Sequence, residues 1–239
     1  MIYGYIGLGN LGGHLVASLL KAGFKVVVHD RHKYLSDRLV ADGATWADSP
    51  EEMARQCDAV ITCLPSPSVS ELVLTQLLSG LRPGSTWIEM STLSRDEILR
   101  LAAVAARHGV RAMELPVTGG VHLAAHGKIT MLAGGDKDLF DTHLPAIEAM
   151  GNKIFHMGTL GNAAIIKVIT NMLAFIHLKA CSEALMLARR GADIRGSGAV
   201  VRIRPEAAVE GKQPVTRRRP EAGRHPSRAV VRTALRIPC

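Results

Sequence analysis

A glycine turn set directly behind an apolar run constrains this chain more than any other feature. Ile2-Tyr3-Gly4-Tyr5-Ile6 reads as a buried strand, and Gly7-Leu8-Gly9-Asn10-Leu11-Gly12 follows at once. Leu11, Leu15, Ser18, Leu19 and Ala22 then take helical spacing. The GxGxxG pattern alone is weak in a chain with 23 glycines. Its strand–turn–helix setting supplies the mechanism that the pattern lacks. Gly7 permits the tight turn, Gly9 lets the backbone approach a pyrophosphate, and Gly12 lets the helix pack on the strand. The helix N-terminus offers free N–H groups and a positive dipole end to phosphates, so Leu8, Asn10 and Leu11 join the candidate cofactor contacts.

Lys21-Ala22-Gly23 closes that helix, and Lys25 to Asp30 reads as a second parallel strand. Asp30 lies where a carboxylate meets the adenosine ribose hydroxyls of a bound dinucleotide. A carboxylate accepts from a 2′-OH and repels a 2′-phosphate, which puts NAD first. Arg31 beside it can pair with the extra phosphate, which keeps NADP as the alternative.

The chain has 239 residues, 47% of them apolar, enough for one large domain or two modest ones. The glycine motif begins too early to leave room for a signal peptide. No uninterrupted apolar run reaches about eighteen residues, so no membrane span is expected. Cys57, Cys63, Cys181 and Cys239 lack metal or framework spacing and read as reduced thiols of a cytoplasmic protein. The net charge of +8 is wholly local. Residues 195–239 hold ten Arg and one Lys against three Glu, while the rest is balanced.

Strand and helix signals alternate through residues 1–157, which predicts an α/β architecture with a doubly wound, mostly parallel sheet. Further strands are expected at 59–64, 86–90, 110–115, 129–133 and 153–156, and helices at 33–42, 51–56, 67–79, 95–107 and 136–149. Ser94-Arg95-Asp96-Glu97 is a capping box for one of these helices. Residues 158–194 contain one long helix, from Gly161 to about Arg190, with an apolar stripe through Ile165, Ile169, Met172, Leu173 and Ile176. Residues 195–239 carry five prolines and a triple Arg without periodicity, and read as a poorly ordered tail.

Lys167 and Asn171 stand four apart on the long helix and share a face. Apolar neighbours would desolvate Lys167 and favour its neutral form; the plainer reading is a snorkelling lysine beside a surface amide. Thr118-Gly119-Gly120 follows the strand ending at Leu115, where converging N–H groups and a hydroxyl could hold a carboxylate; an ordinary turn is the alternative. Leu64-Pro65 and Ser91-Thr92 end strands on the same edge and could line a cofactor, or simply fill loops. His122 and His126 lack a third ligand, so no metal site is assigned. His29 and His156 read as structural, and Met113, Met131, Met150 and Met172 as core filler.

Four segments together resemble the β-hydroxyacid dehydrogenase family, which includes 3-hydroxyisobutyrate dehydrogenase and tartronate semialdehyde reductase. They are Gly7 to Gly12, Ser91-Thr92, Leu115 to Gly120, and Gly161 through Lys167 to Asn171. The resemblance covers residues 1 to about 194. It implies an N-terminal Rossmann domain, a long interdomain helix and a helical C-terminal domain that forms a homodimer. Lys167 would be the general acid/base, Asn171 would hold it or the substrate, Gly119 and Gly120 would bind the substrate carboxylate, and Thr92 would touch the cofactor. Thr118 stands where the family usually has serine. The implied reaction is hydride transfer between nicotinamide and a short 3-hydroxy acid or its semialdehyde.

Family members continue as helices past the position of Ile194, whereas this chain turns basic and proline-rich. Such composition is what a changed reading frame in GC-rich coding DNA gives. The C-terminal region is therefore read as incomplete, with activity impaired and the apolar stripe of the long helix exposed. Three further readings stand beside this one. The first is a nucleotide-binding protein without turnover. The second is nucleic-acid association through the tail, disfavoured because no aromatic residue interleaves it. The third is imine reduction, disfavoured because Lys167 is kept.

Overall fold

The first strand, β1 (Ile2–Ile6), is buried along most of its length, with β2 (Lys25–His29) on one side and β4 (Ala59–Thr62) on the other. The computed structural model describes residues 1–191. β3 (Thr45–Trp46) extends the sheet beyond β2, and β5 (Thr86–Glu89) and β6 (Arg111–Glu114) extend it beyond β4. The order β3-β2-β1-β4-β5-β6 is parallel throughout. It reverses between β1 and β4, so the connections after those strands part and leave a crevice at the carboxyl edge.

Helices cover both faces, which is why the inner strands are apolar without alternation. On one face α1 (Gly12–Lys21), α2 (Asp37–Ala41) and α7 (Lys137–Met150) enclose Tyr3, Tyr5, Leu15, Val28 and Phe140. On the other, α3 (Pro50–Gln56), α4 (Pro67–Leu78) and α5 (Arg95–Arg107) close over Trp87, Met53, Leu74 and Ile98. Ser49, Ser66 and Ser94 accept from the third residue of α3, α4 and α5, and Glu97 completes the expected capping box. Pro50 and Pro67 occupy first helical positions, where a missing N–H costs nothing.

A second sheet departs from the sequence reading. β7 (Val117–Thr118), β8 (Thr130–Ala133) and β9 (Lys153–His156) form it, antiparallel between β7 and β8 and parallel between β8 and β9. A bridge between Glu114 and Gly134 links it to β6. The stretch expected as a turn after Leu115 is therefore strand β7, followed by the short helix α6 (Gly120–Ala125). Residues 33–42 also split, into a 3-10 turn at Lys33–Ser36 and then α2.

α8 (Asn162–Gly191) runs unbroken for 30 residues. Ala163 and Ala164 are buried against the sheet, whereas Ile165, Met172, Phe175, Ile176 and Leu187 are exposed. Met172 is thus not core filler, although Met113, Met131 and Met150 are buried. By length and composition alone α8 could cross a membrane. Lys167, Asn171 and Lys179 break its apolar run in sequence without spoiling its mean hydropathy. The basic tail at 195–239, with its expected lack of order, lies outside the described residues.

Candidate active site

The glycine turn leaves β1 at the crevice. Gly7 has φ +101°, and a β-carbon there would overlap the Cys63 carbonyl oxygen; one at Gly12 would overlap the Gly7 carbonyl. Both positions are sterically closed to a side chain. Gly9 is different: it is exposed, and a β-carbon would point into open space. Among the described residues, the N–H groups of Gly9, Asn10 and Leu11 meet no main-chain acceptor. α1 carries no acid in its first turn and no side-chain cap. Such a turn suits a pyrophosphate, because unpaired donors and a helix dipole converge on vacant volume.

Asp30 is pinned by two main-chain donors, Leu8 N–H to Oδ2 at 2.8 Å and His32 N–H to Oδ1 at 2.9 Å. Its carboxylate thereby joins the glycine turn to the turn after β2. Each oxygen keeps acceptor capacity for a ribose hydroxyl. Arg31 is exposed, and its Nε donates to His32 Nε2 at 3.0 Å. A cleft of about 700 Å³ opens at Leu8, Gly9 and Asn10 and runs along α1 past His14, Lys21 and Arg38.

The other wall comes from the strand ends after β4 and β5. The Leu64 side chain lies where a β-carbon on Gly7 would touch it, and Leu64 N–H donates to Ser91 Oγ at 2.8 Å. Pro65 and Thr92 sit exposed beside that tie. Beneath it is a carboxylate missed by sequence reasoning. Glu89 is buried and accepts from Ser91 N–H at 2.6 Å and from Thr62 Oγ1 at 3.1 Å, while Trp87 Nε1 donates to Thr62 Oγ1 at 2.9 Å. Burial pushes the Glu89 carboxyl above the usual range, against the pull of its Ser91, Thr62 and Ser70 donors.

Lys167 reaches the carboxyl ends of β5 and β6. There it shares a small recess with Glu89, Ser91, Glu114, Pro116 and Ala164. It is half-buried, and burial lowers its pKa from the ordinary 10.5. Asn171 is half-buried one turn further along α8. Thr118 lies in β7, paired with Thr130, just after the Pro116 that lines the recess. Gly119 and Gly120 take φ of +115° and +78° and are exposed at the start of α6. The expected substrate and lysine segments thus meet at one sheet edge, while the glycine turn and Asp30 lie two to three strands away along it.

Glu114 is the second carboxylate that sequence reasoning missed. It is buried at the end of β6, and Gly161, Ala163 and Ala164 N–H all donate to it. A charged residue closing an apolar strand just before Leu-Pro was its only signal, and a solvated residue gives the same one. His29 and His156 use ring nitrogens on the Ala47 and Gly135 carbonyl oxygens, a structural role. The rings of His122 in α6 and His126 at its C-cap lie 4.7 Å apart, tilted by 56°.

Comparison with known proteins agrees with this architecture. Residues 2–158 match the family described as the NAD binding domain of 6-phosphogluconate dehydrogenase. The chain is 34% identical over 194 residues to "Probable 3-hydroxyisobutyrate dehydrogenase, mitochondrial" of Dictyostelium discoideum, covering 80% of this chain and 60% of that one. It is 35% identical over 189 residues to "Cytokine-like nuclear factor N-PAC" of Homo sapiens, covering 78% of this chain and 34% of that one. The solved Mycobacterium tuberculosis 3-hydroxyisobutyrate dehydrogenase with L-serine superposes with a TM-score of 0.75 at 32% identity, covering 79% of this chain and 65% of that one. The match thus spans about a third of N-PAC and less than two thirds of the dehydrogenases. An NAD-binding Rossmann domain followed by a lysine-bearing helix defines the class. The chain belongs to the β-hydroxyacid dehydrogenase family.

Proposed function

We propose that the chain is an NAD-dependent oxidoreductase acting on a short 3-hydroxy acid or its semialdehyde, with Lys167 as general acid/base. The observation that carries this is the position of Lys167: a desolvated amine set among the ends of β5 and β6, beside the Pro116–Gly120 segment. A bound nicotinamide dinucleotide would supply the hydride acceptor or donor. Gly7 to Gly12 and Asp30 would hold its pyrophosphate and adenosine ribose, with Leu64, Pro65 and Thr92 along the other wall. Thr118, Gly119 and Gly120 would fix the substrate carboxylate. Lys167 then takes the hydroxyl proton during oxidation and returns it during reduction, and Asn171 orients the amine or the hydroxyl. Its depressed pKa matters because an ordinary lysine is a poor base near neutrality.

Fluorescence titration of the full chain with NADH, followed by a screen of short 3-hydroxy acids, tests the reading. NADH binding with turnover that vanishes in Lys167→Ala is the expected result. Turnover that survives in Lys167→Ala would remove the lysine from the chemistry. The similarity to a nuclear factor favours one second reading, a dinucleotide-binding module without turnover; NADH binding with no oxidation of any acid in the screen would select it.

A further inference from the structure

α8 begins beside β6, and its first residues bring their own N–H groups but no acid in the first turn. Unpaired N–H groups at a buried helix start are costly. Asn162 N–H turns back to the Thr159 carbonyl oxygen, and Glu114, two residues short of Pro116, answers the three beside it. Gly161 N–H donates to Oε1 at 2.6 Å, Ala163 N–H to Oε1 at 3.0 Å and Ala164 N–H to Oε2 at 2.9 Å. The Glu114 backbone is itself fixed from both sides. It pairs with Glu89 in β5 and exchanges two hydrogen bonds with Gly134, of 2.9 and 3.0 Å. A β-carbon at Gly134 would overlap Glu114 Oε1, so that glycine keeps the space the carboxylate occupies.

Lys167 is three residues past Ala164 and four past Ala163. Helical side chains tilt toward the N-terminus, so its stem lies over the turn that Glu114 holds. We propose that Glu114 is a positioning residue: its carboxylate locks the first turn of α8 to the end of β6 and thereby keeps the Lys167 amine in the recess between β5 and β6. This rests on the reading of Lys167 as the acid/base. One carboxylate then sets both the substrate segment, through the strand that leads into it, and the proton-transfer group, through the helix. The titratable groups facing this junction are Glu89 from β5, Glu114 from β6 and Arg95 from α5, whose side chain lies against Gly161.

The test is competitive amine labelling of the full chain by reductive methylation across pH, read peptide by peptide by mass spectrometry, with exposed Lys128 as the internal reference. In the native chain Lys167 should label with a midpoint below that of Lys128. In Glu114→Gln the freed turn returns Lys167 to solvent, and its midpoint should rise to the Lys128 value, about tenfold slower labelling near neutrality for each pH unit. Glu114→Asp, which keeps the charge but retracts it by one methylene, should fall between, and it serves if the glutamine variant does not fold. Ser94→Ala, which uncaps α5 instead, should leave the Lys167 midpoint in place while lowering overall stability.

An unchanged Lys167 midpoint in folded Glu114→Gln would reduce Glu114 to a simple cap and overturn the proposal. So would a native Lys167 that labels like Lys128. A midpoint that falls in Glu114→Gln would also overturn it, because losing a neighbouring carboxylate lowers an ammonium's hold on its proton without any repositioning. The parent reading fails separately. Turnover retained in Lys167→Ala, alongside a Lys167 midpoint that still depends on Glu114, would leave the positioning role and remove the catalysis.

Discussion

Single residues decide the chemistry here through what surrounds them. Lys167 has its pKa lowered by burial, so the neutral amine is present below the usual lysine range. If Lys167 is the proton-transfer group proposed above, oxidation of a hydroxy acid should rise with pH through an inflection below 10.5, and reduction should fall over the same interval; initial rates against pH check this. The two glycines of the turn separate binding from folding. Gly9→Ala meets open space, so it should spare stability while weakening NADH binding about tenfold, roughly 1.4 kcal/mol. Gly12→Ala drives a β-carbon into the Gly7 carbonyl and should cost about 1–3 kcal/mol in urea unfolding. With Asp30 at the proposed ribose position, Asp30→Ala should weaken NAD more than NADP, measured by parallel titrations, because a carboxylate there favours a free 2′-OH.

At the scale of elements, buried polar contacts tie strands to helices. His143 on α7 hydrogen-bonds Tyr3 OH through Nδ1 at 3.0 Å and Thr86 Oγ1 through Nε2 at 3.1 Å, one ring nitrogen donating and the other accepting, which joins that helix to both β1 and the start of β5. Burial brings its pKa from 6.5 down to about 4. The folded state therefore holds this proton less tightly than the unfolded chain. Its contribution is complete above about pH 6.5 and is lost as pH falls toward 4, by as much as about 3 kcal/mol. His143→Gln should flatten that acid loss in urea midpoints measured between pH 7 and 4. Glu89 plays a comparable part on the other face: it holds Ser91, whose Oγ accepts from Leu64 N–H, so the two loops of one crevice wall are tied to each other.

At the scale of the whole molecule, α8 sets the problem. Ala163 and Ala164 in its first turn are buried, yet Phe175 is 70% exposed and Leu187 68%. A continuous apolar helix face in water favours association. Sedimentation of the full chain should show concentration-dependent self-association, and Phe175→Glu should weaken it without changing NADH binding.

Much of this architecture was legible before any coordinates. Gly7 to Gly12 announced its turn because only glycine survives the Cys63 and Gly7 carbonyls, and Ser94 with Glu97 announced the start of α5. That Lys167 and Asn171 share one helix was legible because α8 has an unbroken helical period. Strand β7 was not: Val117-Thr118 is too short for a period, and only pairing with β8 makes it a strand. The two-residue β3 escaped for the same reason. Glu89 and Glu114 escaped because a carboxylate at a strand end looks the same whether water or peptide N–H groups solvate it. Local steric and periodic rules thus determined the order of elements and the residues of the turn, since these depend on neighbours along the chain. Tertiary structure decided which distant N–H groups satisfy Glu114 and which strand ends Lys167 stands among, because those partners lie about fifty residues apart and meet only once the sheet has formed.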